Sequence, residues 1–527
     1  MIPDPARRTR AEQSVRRAEC GTTKEFCMET IVSVTGGKVR GSTENEVSAF
    51  LGIPYAAAPV GPARFDLPRP VPEWDGVRDA LTYGATCAQS PYPAPIHALI
   101  GSDGLPGDEY LNLNVWTPDV GGSGLPVMVW IHGGAFTRGS NARTMYDGST
   151  FARDGVVVVS INYRLGISGF AAVPGAPLNR GLHDQIFALR WVRENIAAFG
   201  GDPDTVTVFG ESAGGMSVVD LLTAAPARGL FHRAIVQSGN GSAVAEAADA
   251  VKVAENLARI LGIEPTAAAF GELGPDRLRT AQDAVALELI TNPDPNRWGR
   301  TIIDNGLGIL SFFPVIDGEL IEDRPVDVLD RSTGHAVPLI IGWTAEEFRF
   351  FTFPTGIAAT LTDETLGPVL SRYGIDPAVV DVYAGQRPQA TPADLFAAVI
   401  TDMVFRDDSM RIAAANAAAG APTHVYEFGW RSEVLDLGAC HVLEIPFVFD
   451  KLTEAHPLTG PNPPQPLADE IHRAWVDFAT HGDPGWRPFG TDRQVRRFDF
   501  PDSTTVPDPH AAELRALRES GSRLRRG

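Results

Sequence analysis

The chain predicts an α/β fold, with a mostly parallel central sheet flanked by helices, on three observations. Short apolar runs bounded by turn residues recur along it: "PVMVWI" (126–131), "GVVVVSINY" (155–163), "TVTVF" (205–209), "RAIVQ" (233–237) and "VPLIIGW" (337–343). Continuous Val/Ile runs of this length suit strands covered by helices on both faces. Between the second and third lies "GLHDQIFALRWVRENIAAFGG" (181–201). Its Leu182, Ile186, Leu189, Val192 and Ile196 recur at three- and four-residue steps and glycines close its end, as in an amphipathic helix. The third observation is composition: of 527 residues 44% are hydrophobic and 21% charged, enough to build the core of one large domain or of two to three ordinary ones.

Taken in order, residues 1–27 are Arg-rich and hold no apolar stretch of signal-peptide type. They read as a disordered extension ahead of a folded part that begins at Met28, a single domain over 28–510. The strand at 155–163, the helix and the strand at 205–209 read as a βαβ unit with a right-handed crossover. A second helical stretch, "MSVVDLLTAA" (216–225), follows the third strand. The last segment, 511–527, reads as a charged tail with a solvated helical face. No apolar run approaches the ~20 residues of a membrane helix, so no membrane partner is expected. A formal net charge of -20 repels polyanions and argues against nucleic acid. The cysteines, Cys20, Cys27, Cys87 and Cys440, are too sparse for a disulfide scaffold and do not have zinc-site spacing. Free thiols in a reducing, cytoplasmic compartment and no metal are the expectation.

The stretch "VFGESAGGM" (208–216) raises the question of chemistry. It places Ser212 in G-x-S-x-G directly after one expected strand and before an expected helix. That is the setting of a nucleophile elbow: a sharp strand-to-helix turn lifts Oγ out at the carboxyl end of the sheet, and the glycines make room for the crowded backbone. The near-match "GISGF" (166–170) lacks the last glycine. A serine hydroxyl is a weak nucleophile and needs a base, an acid that orients the base, and donors for an oxyanion. The segment "WIHGGAF" (130–136) ends a strand in small residues that can aim backbone N–H groups into such a site. Residue chemistry alone does not choose the base among the 11 histidines.

The chain resembles the type-B carboxylesterases, the cholinesterase-related branch of the α/β-hydrolases that includes bacterial para-nitrobenzyl esterases. The matching segments run almost end to end. They are "AFLGIPYAAAPVGPARF" (49–65), "DEYLNLNVWTP" (108–118), "WIHGGAF" (130–136), "NYRLGISGF" (162–170), "NRGLHDQ" (179–185), "FGGDPDTVTVFGESAGG" (199–215), "QSG" (237–239), "FFPVIDG" (312–318), "GWTAEEFRFF" (342–351) and "GACHVLEIPFVF" (438–449). The resemblance implies an α/β-hydrolase fold with loop and helical insertions that form a gorge. It implies Ser212 as nucleophile, His441 as base, and Gly134, Ala135 and Ala213 as oxyanion-hole donors. Ala135 stands where many relatives have a third glycine and costs no donor. Ser238 falls on a serine that supports the triad from behind. The family pattern T-x-D-E-G reads here Thr344-Ala345-Glu346-Glu347-Phe348, which makes Glu347 the orienting acid and Glu346 the fallback.

Departures from the family narrow the reading. Tyr110 occupies a position where many relatives have a cysteine, which leaves Cys87 without that mate. No tryptophan lies between Cys87 and Tyr110, where cholinesterases place the ring that holds choline, so a choline ester is not expected. The Pro- and Gly-rich stretch between them reads as a mobile rim loop over the gorge. The expected function is a serine carboxylesterase acting on small-molecule esters of short to medium acyl chain through an acyl-enzyme, with no metal or organic cofactor. A lipase for longer chains, or a non-catalytic cholinesterase-like binding module, are the alternatives.

Overall fold

The computed structural model describes residues 16–19, 26–102, 104–331 and 336–520. Of the expected extension, residues 1–15 and 20–25 lie outside the described residues, as does the end of the tail, 521–527. The strands, in chain order, are β1 (Arg16–Glu19), β2 (Phe26–Val34), β3 (Gly37–Glu44), β4 (Val47–Pro54), β5 (Val77–Asp79), β6 (Asn112–Thr117), β7 (Leu125–Ile131) and β8 (Val157–Ile161). They continue with β9 (Gly201–Glu211), β10 (Arg233–Gln237), β11 (Ala245–Glu246), β12 (Val315–Ile316), β13 (Leu339–Thr344), β14 (Thr423–Phe428), β15 (Gln494–Phe498) and β16 (Thr504–Pro507). Four helices matter below: α1 (Ala94–Ile100), α2 (Arg180–Asn195), α3 (Ala213–Thr223) and α4 (Ala511–Glu519).

One 14-stranded sheet runs β1-β2-β3-β4-β6-β8-β7-β9-β10-β13-β14-β15-β16, with β5 on β3, while β11 and β12 form a small separate pair. From β8 through β15 every pairing is parallel. The strands read from the sequence as doubly covered lie in that parallel part; every residue of β8, and all of β7 beyond Leu125, is buried. The antiparallel strands β2, β3, β4 and β6 are the portion without a continuous Val/Ile run. α2 carries the chain from β8 to β9, but β7 lies between those strands, so the expected βαβ unit steps over one neighbour.

α3 starts directly after Ser212, three residues earlier than the hydrophobic pattern indicates. Gly214 and Gly215 sit in its first turn because nothing larger fits. A Cβ on Gly214 would stand 2.0 Å from the Ile131 carbonyl oxygen, and one on Gly215 2.6 Å from that of Gln237. α4 is not simply a solvated tail. Leu514 and Leu517 are buried, and Glu513 accepts from His510 at 2.7 Å and pairs with Arg387. Among the described residues no helix is long and apolar enough to cross a membrane.

Candidate active site

Strand register gathers the chemistry at one edge. Ile131 pairs with Gly210, Glu211 with Gln237, Gln237 with Gly342, and Thr344 with Phe428. Because these strands run parallel, the loops after β7, β9 and β13 leave the sheet side by side at its carboxyl end. Ser212 makes the turn out of β9 with φ 56 and ψ -124, a backbone state that costs a non-glycine residue about 1–3 kcal/mol. Its neighbours hold it there: its N–H donates to the Gln237 carbonyl at 3.0 Å, and its own carbonyl accepts from Met216 N–H at 2.8 Å. Gly134 and Ala135, in the loop after β7, border the same cavity as Ser212. Gly134 has φ 118, and a Cβ there would lie 2.1 Å from the Arg138 carbonyl oxygen, so the loop requires glycine. Ala213 is the first residue of α3, where an N–H has no intrahelical acceptor.

The loop after β13 and the loop that carries His441 are stitched together. Glu346 N–H donates to the Ala439 carbonyl at 2.8 Å, and His441 N–H to the Glu347 carbonyl at 3.3 Å. The side chains complete the joint. Glu347 Oε1 accepts from Thr344 N–H at 2.9 Å, and Oε2 lies 2.6 Å from His441 Nδ1. Glu347 is fully buried and His441 2% exposed. Glu346 turns elsewhere: its Oε2 accepts from Ala439 N–H at 2.9 Å and pairs with Arg431.

The other imidazole nitrogen, Nε2, lies 3.1 Å from Glu211 Oε1, close enough for an ion pair but off the hydrogen-bond axis. Among the described residues no hydrogen bond joins Nε2 to Ser212 Oγ; such contacts commonly tighten only in the substrate complex. Burial alone would depress the imidazole, but the charges of Glu211 and Glu347 and the Glu347 hydrogen bond outweigh it and lift His441 to about 9. A third buried carboxyl, Glu444, stands 3.5 Å from Gln237 Nε2. Burial raises Glu211 to about 7 and Glu444 to about 8; the charge of Glu347 adds to both, and that of His441 opposes it. The sequence reading did not single out Glu211 or Glu444. Their only signal is position, beside the nucleophile and one helical turn beyond the base, and that acquires meaning only once the loops fold together.

Ser238 is fully buried at the end of β10, and its N–H donates to the Gly342 carbonyl at 2.8 Å. Its Oγ makes no hydrogen bond among the described residues, so the structure brings it near the site without linking it to His441 or Glu347. Cys87 and Cys440 are free and buried. Tyr110 is buried as well, and its hydroxyl donates to the Pro59 carbonyl at 3.1 Å. The stretch read as a rim loop contains α1, anchored by buried Ile96 and Leu99, while Tyr92 and Ile100 border the cavity. The remaining cavity wall is largely apolar, with Leu307, Ile309, Leu310, Phe351 and Phe405.

A model of the carboxylesterase family matches residues 28–505. The para-nitrobenzyl esterase of Bacillus subtilis (strain 168) is 37% identical over 466 residues, covering 86% of this chain and 90% of that protein. Phenmedipham hydrolase of Pseudarthrobacter oxydans is 35% identical over 467 residues, again covering 86% of this chain and 90% of that protein. Among solved structures, a Geobacillus stearothermophilus carboxylesterase at pH 6.2 superposes with a TM-score of 0.80 at 34% identity, covering 92% of this chain and 99% of that one.

Proposed function

Because the chain belongs to the carboxylesterase family and is a carboxylic ester hydrolase of α/β-hydrolase fold, we propose that Ser212, His441 and Glu347 are its catalytic triad and that Gly134, Ala135 and Ala213 bind the oxyanion. The observation that carries this reading is the buried 2.6 Å contact between His441 Nδ1 and Glu347 Oε2, set beside the strained turn that presents Ser212. Glu347 fixes the tautomer in which Nδ1 carries hydrogen and Nε2 is free to accept.

The cycle follows from these positions. Nε2 takes the Ser212 proton as Oγ bonds to the ester carbonyl carbon, and the three N–H groups receive the oxyanion. Nε2–H then donates to the alcohol oxygen as the C–O bond breaks, leaving an acyl-Ser212. Water repeats both steps and releases the acid. In the resting cavity Glu211 stabilises imidazolium, so Nε2 must first lose a proton. Glu211, whose Oε1 lies 3.1 Å from Nε2, is the carboxylate at hand to take it.

Short- to medium-chain esters are the proposed substrates, and the free, buried Cys87 and Cys440 support work in the reducing cytoplasm. The test is Ser212→Ala, expected to lower kcat on a nitrophenyl ester by about 10⁴-fold or more while the fold persists. An organophosphate should add to Ser212. An adduct found by mass spectrometry on another serine would overturn the assignment.

A further inference from the structure

A second cavity, of about 510 Å³, lies at the two ends of the stretch between Cys87 and Tyr110, both of which border it. Among the described residues it shares no bordering residue with the catalytic cavity. Arg64 borders it and is 9% exposed. A guanidinium buried to that degree ordinarily has a carboxylate or a set of carbonyls around it. Three other buried arginines conform: Arg164 pairs with Asp184, Arg406 with Asp402 and Glu427, and Arg180 donates to four carbonyl oxygens. Arg64 has no ion pair among the described residues, and its guanidinium donates one hydrogen bond, from Nη1 to the Leu273 carbonyl at 2.5 Å. Nε and Nη2, the parallel donors along one edge of the fork, have no acceptor among the described residues, and neither is fully enclosed. That edge therefore faces the cavity.

Gln282 adds a second donor. It is 8% exposed and borders the same cavity. Its Oε1 accepts from Ile167 N–H at 3.1 Å, which fixes the orientation of the carboxamide and leaves Nε2 without an acceptor among the described residues. The acids that border this cavity, Asp108 and Asp276, are exposed at its mouth, where water screens them. Asp276 also pairs with Arg279 at 3.5 Å. Much of the remaining wall is apolar, with Val60, Leu105, Leu165, Ile167 and Leu278. Two parallel N–H groups match the two oxygens of a carboxylate, and apolar walls match a hydrocarbon tail. We infer that this cavity is a second ligand site, distinct from the catalytic centre, which binds a small monocarboxylate with an apolar tail on Arg64 and Gln282. Carboxylic acids are the class of product that ester hydrolysis releases, so the enzyme generates ligands of this kind wherever it works.

The experiment titrates benzoate, and benzamide as its neutral match in shape, into enzyme whose Ser212 has first been blocked with an organophosphate. Calorimetry at low salt should show one benzoate per chain, bound about tenfold or more tighter than benzamide. Arg64→Gln should weaken benzoate by about tenfold or more and leave benzamide nearly unchanged. Val60→Trp fills the cavity from a wall residue that is 38% exposed and removes no hydrogen-bonding side chain. It should abolish benzoate binding while the unblocked variant still turns over 4-nitrophenyl acetate. No measurable binding of benzoate, equal affinity for the two compounds, binding that the organophosphate removes, or binding that survives both substitutions would overturn the inference. Should Arg64→Gln fail to fold, Val60→Trp decides alone. An organophosphate that leaves Ser212 unlabelled would instead count against the active-site reading, and the two variants would still decide this inference.

Discussion

Replacing Glu347 by glutamine tests the site most sharply, because the adjacent Glu346 is a built-in control. When His441 takes the Ser212 proton, a buried imidazolium forms against the Glu347 carboxylate, with Nδ1 and Oε2 2.6 Å apart. At a charge separation of ~4 Å and an effective dielectric of ~20 the attraction is about 4 kcal/mol, or roughly 10³ in rate. Glutamine also offers an NH₂ to Nδ1, which stabilises the tautomer whose Nε2 cannot accept from serine. Together these bring the expected loss in kcat to ~10⁴-fold.

Glu346→Gln keeps an oxygen for Ala439 N–H and gives up an ion pair with Arg431, a side chain 56% exposed. Such pairs are worth about 0–1 kcal/mol, so the expected loss stays below tenfold. Both variants would be assayed on 4-nitrophenyl acetate up to the pH plateau, with the fold checked by circular dichroism. If Glu346→Gln is the more damaging, the acid has been placed one residue off. Equal and mild losses would mean that another carboxylate orients His441.

Glu211→Gln removes a charge that raises the His441 pKa, and the free base is the active form; the acid limb of kcat/KM should therefore move to lower pH, and a limb that stays or moves upward would refute the role given to Glu211. Burial lifts the Cys87 thiol to about 11 and raises that of Cys440 as well, so thiol titration of the native enzyme should leave both unmodified and activity should survive dithiothreitol and EDTA. Inactivation by the reductant would reveal a disulfide, and loss to EDTA restored by a divalent ion would contradict a plain triad. Acyl chains of roughly two to six carbons should be preferred in the apolar cavity, and a kcat/KM that still rises beyond about ten carbons would count against that reading.

How far the sequence could be read depends on whether backbone or side chains fix a feature. The parallel strands were legible because double coverage forces continuous Val/Ile runs, as in the wholly buried β8. α3 starts three residues before its hydrophobic pattern because Gly214 and Gly215, packed into its first turn, carry no side chain for a periodicity to register. The contact between Glu347 and His441 was legible only through the family resemblance, since Glu346 and Glu347 both follow the strand and the residues alone do not choose among the histidines. Glu211 and Glu444 were not read: a glutamate beside a glycine or just ahead of a short helix looks solvent-facing until loops separated by more than 200 residues close over it. α4 was read as a solvated tail because its charges outnumber Leu514 and Leu517, the two leucines that bury.

The same division separates the reaction from its substrate. The floor of the cavity is backbone: the Ser212 turn, the glycine at 134 and the first turn of α3 can be built from few sequences, so a short motif points to acyl transfer. The walls and the electrostatics are side chains contributed by loops far apart in the chain. Three buried carboxylates, Glu211, Glu347 and Glu444, surround one imidazole, and a buried site does not hold three uncompensated negative charges. At least one carboxyl therefore keeps a proton near neutral pH, and the readiness of His441 depends on which one. Arg143, which borders the same cavity, enters this balance by favouring ionised Glu211.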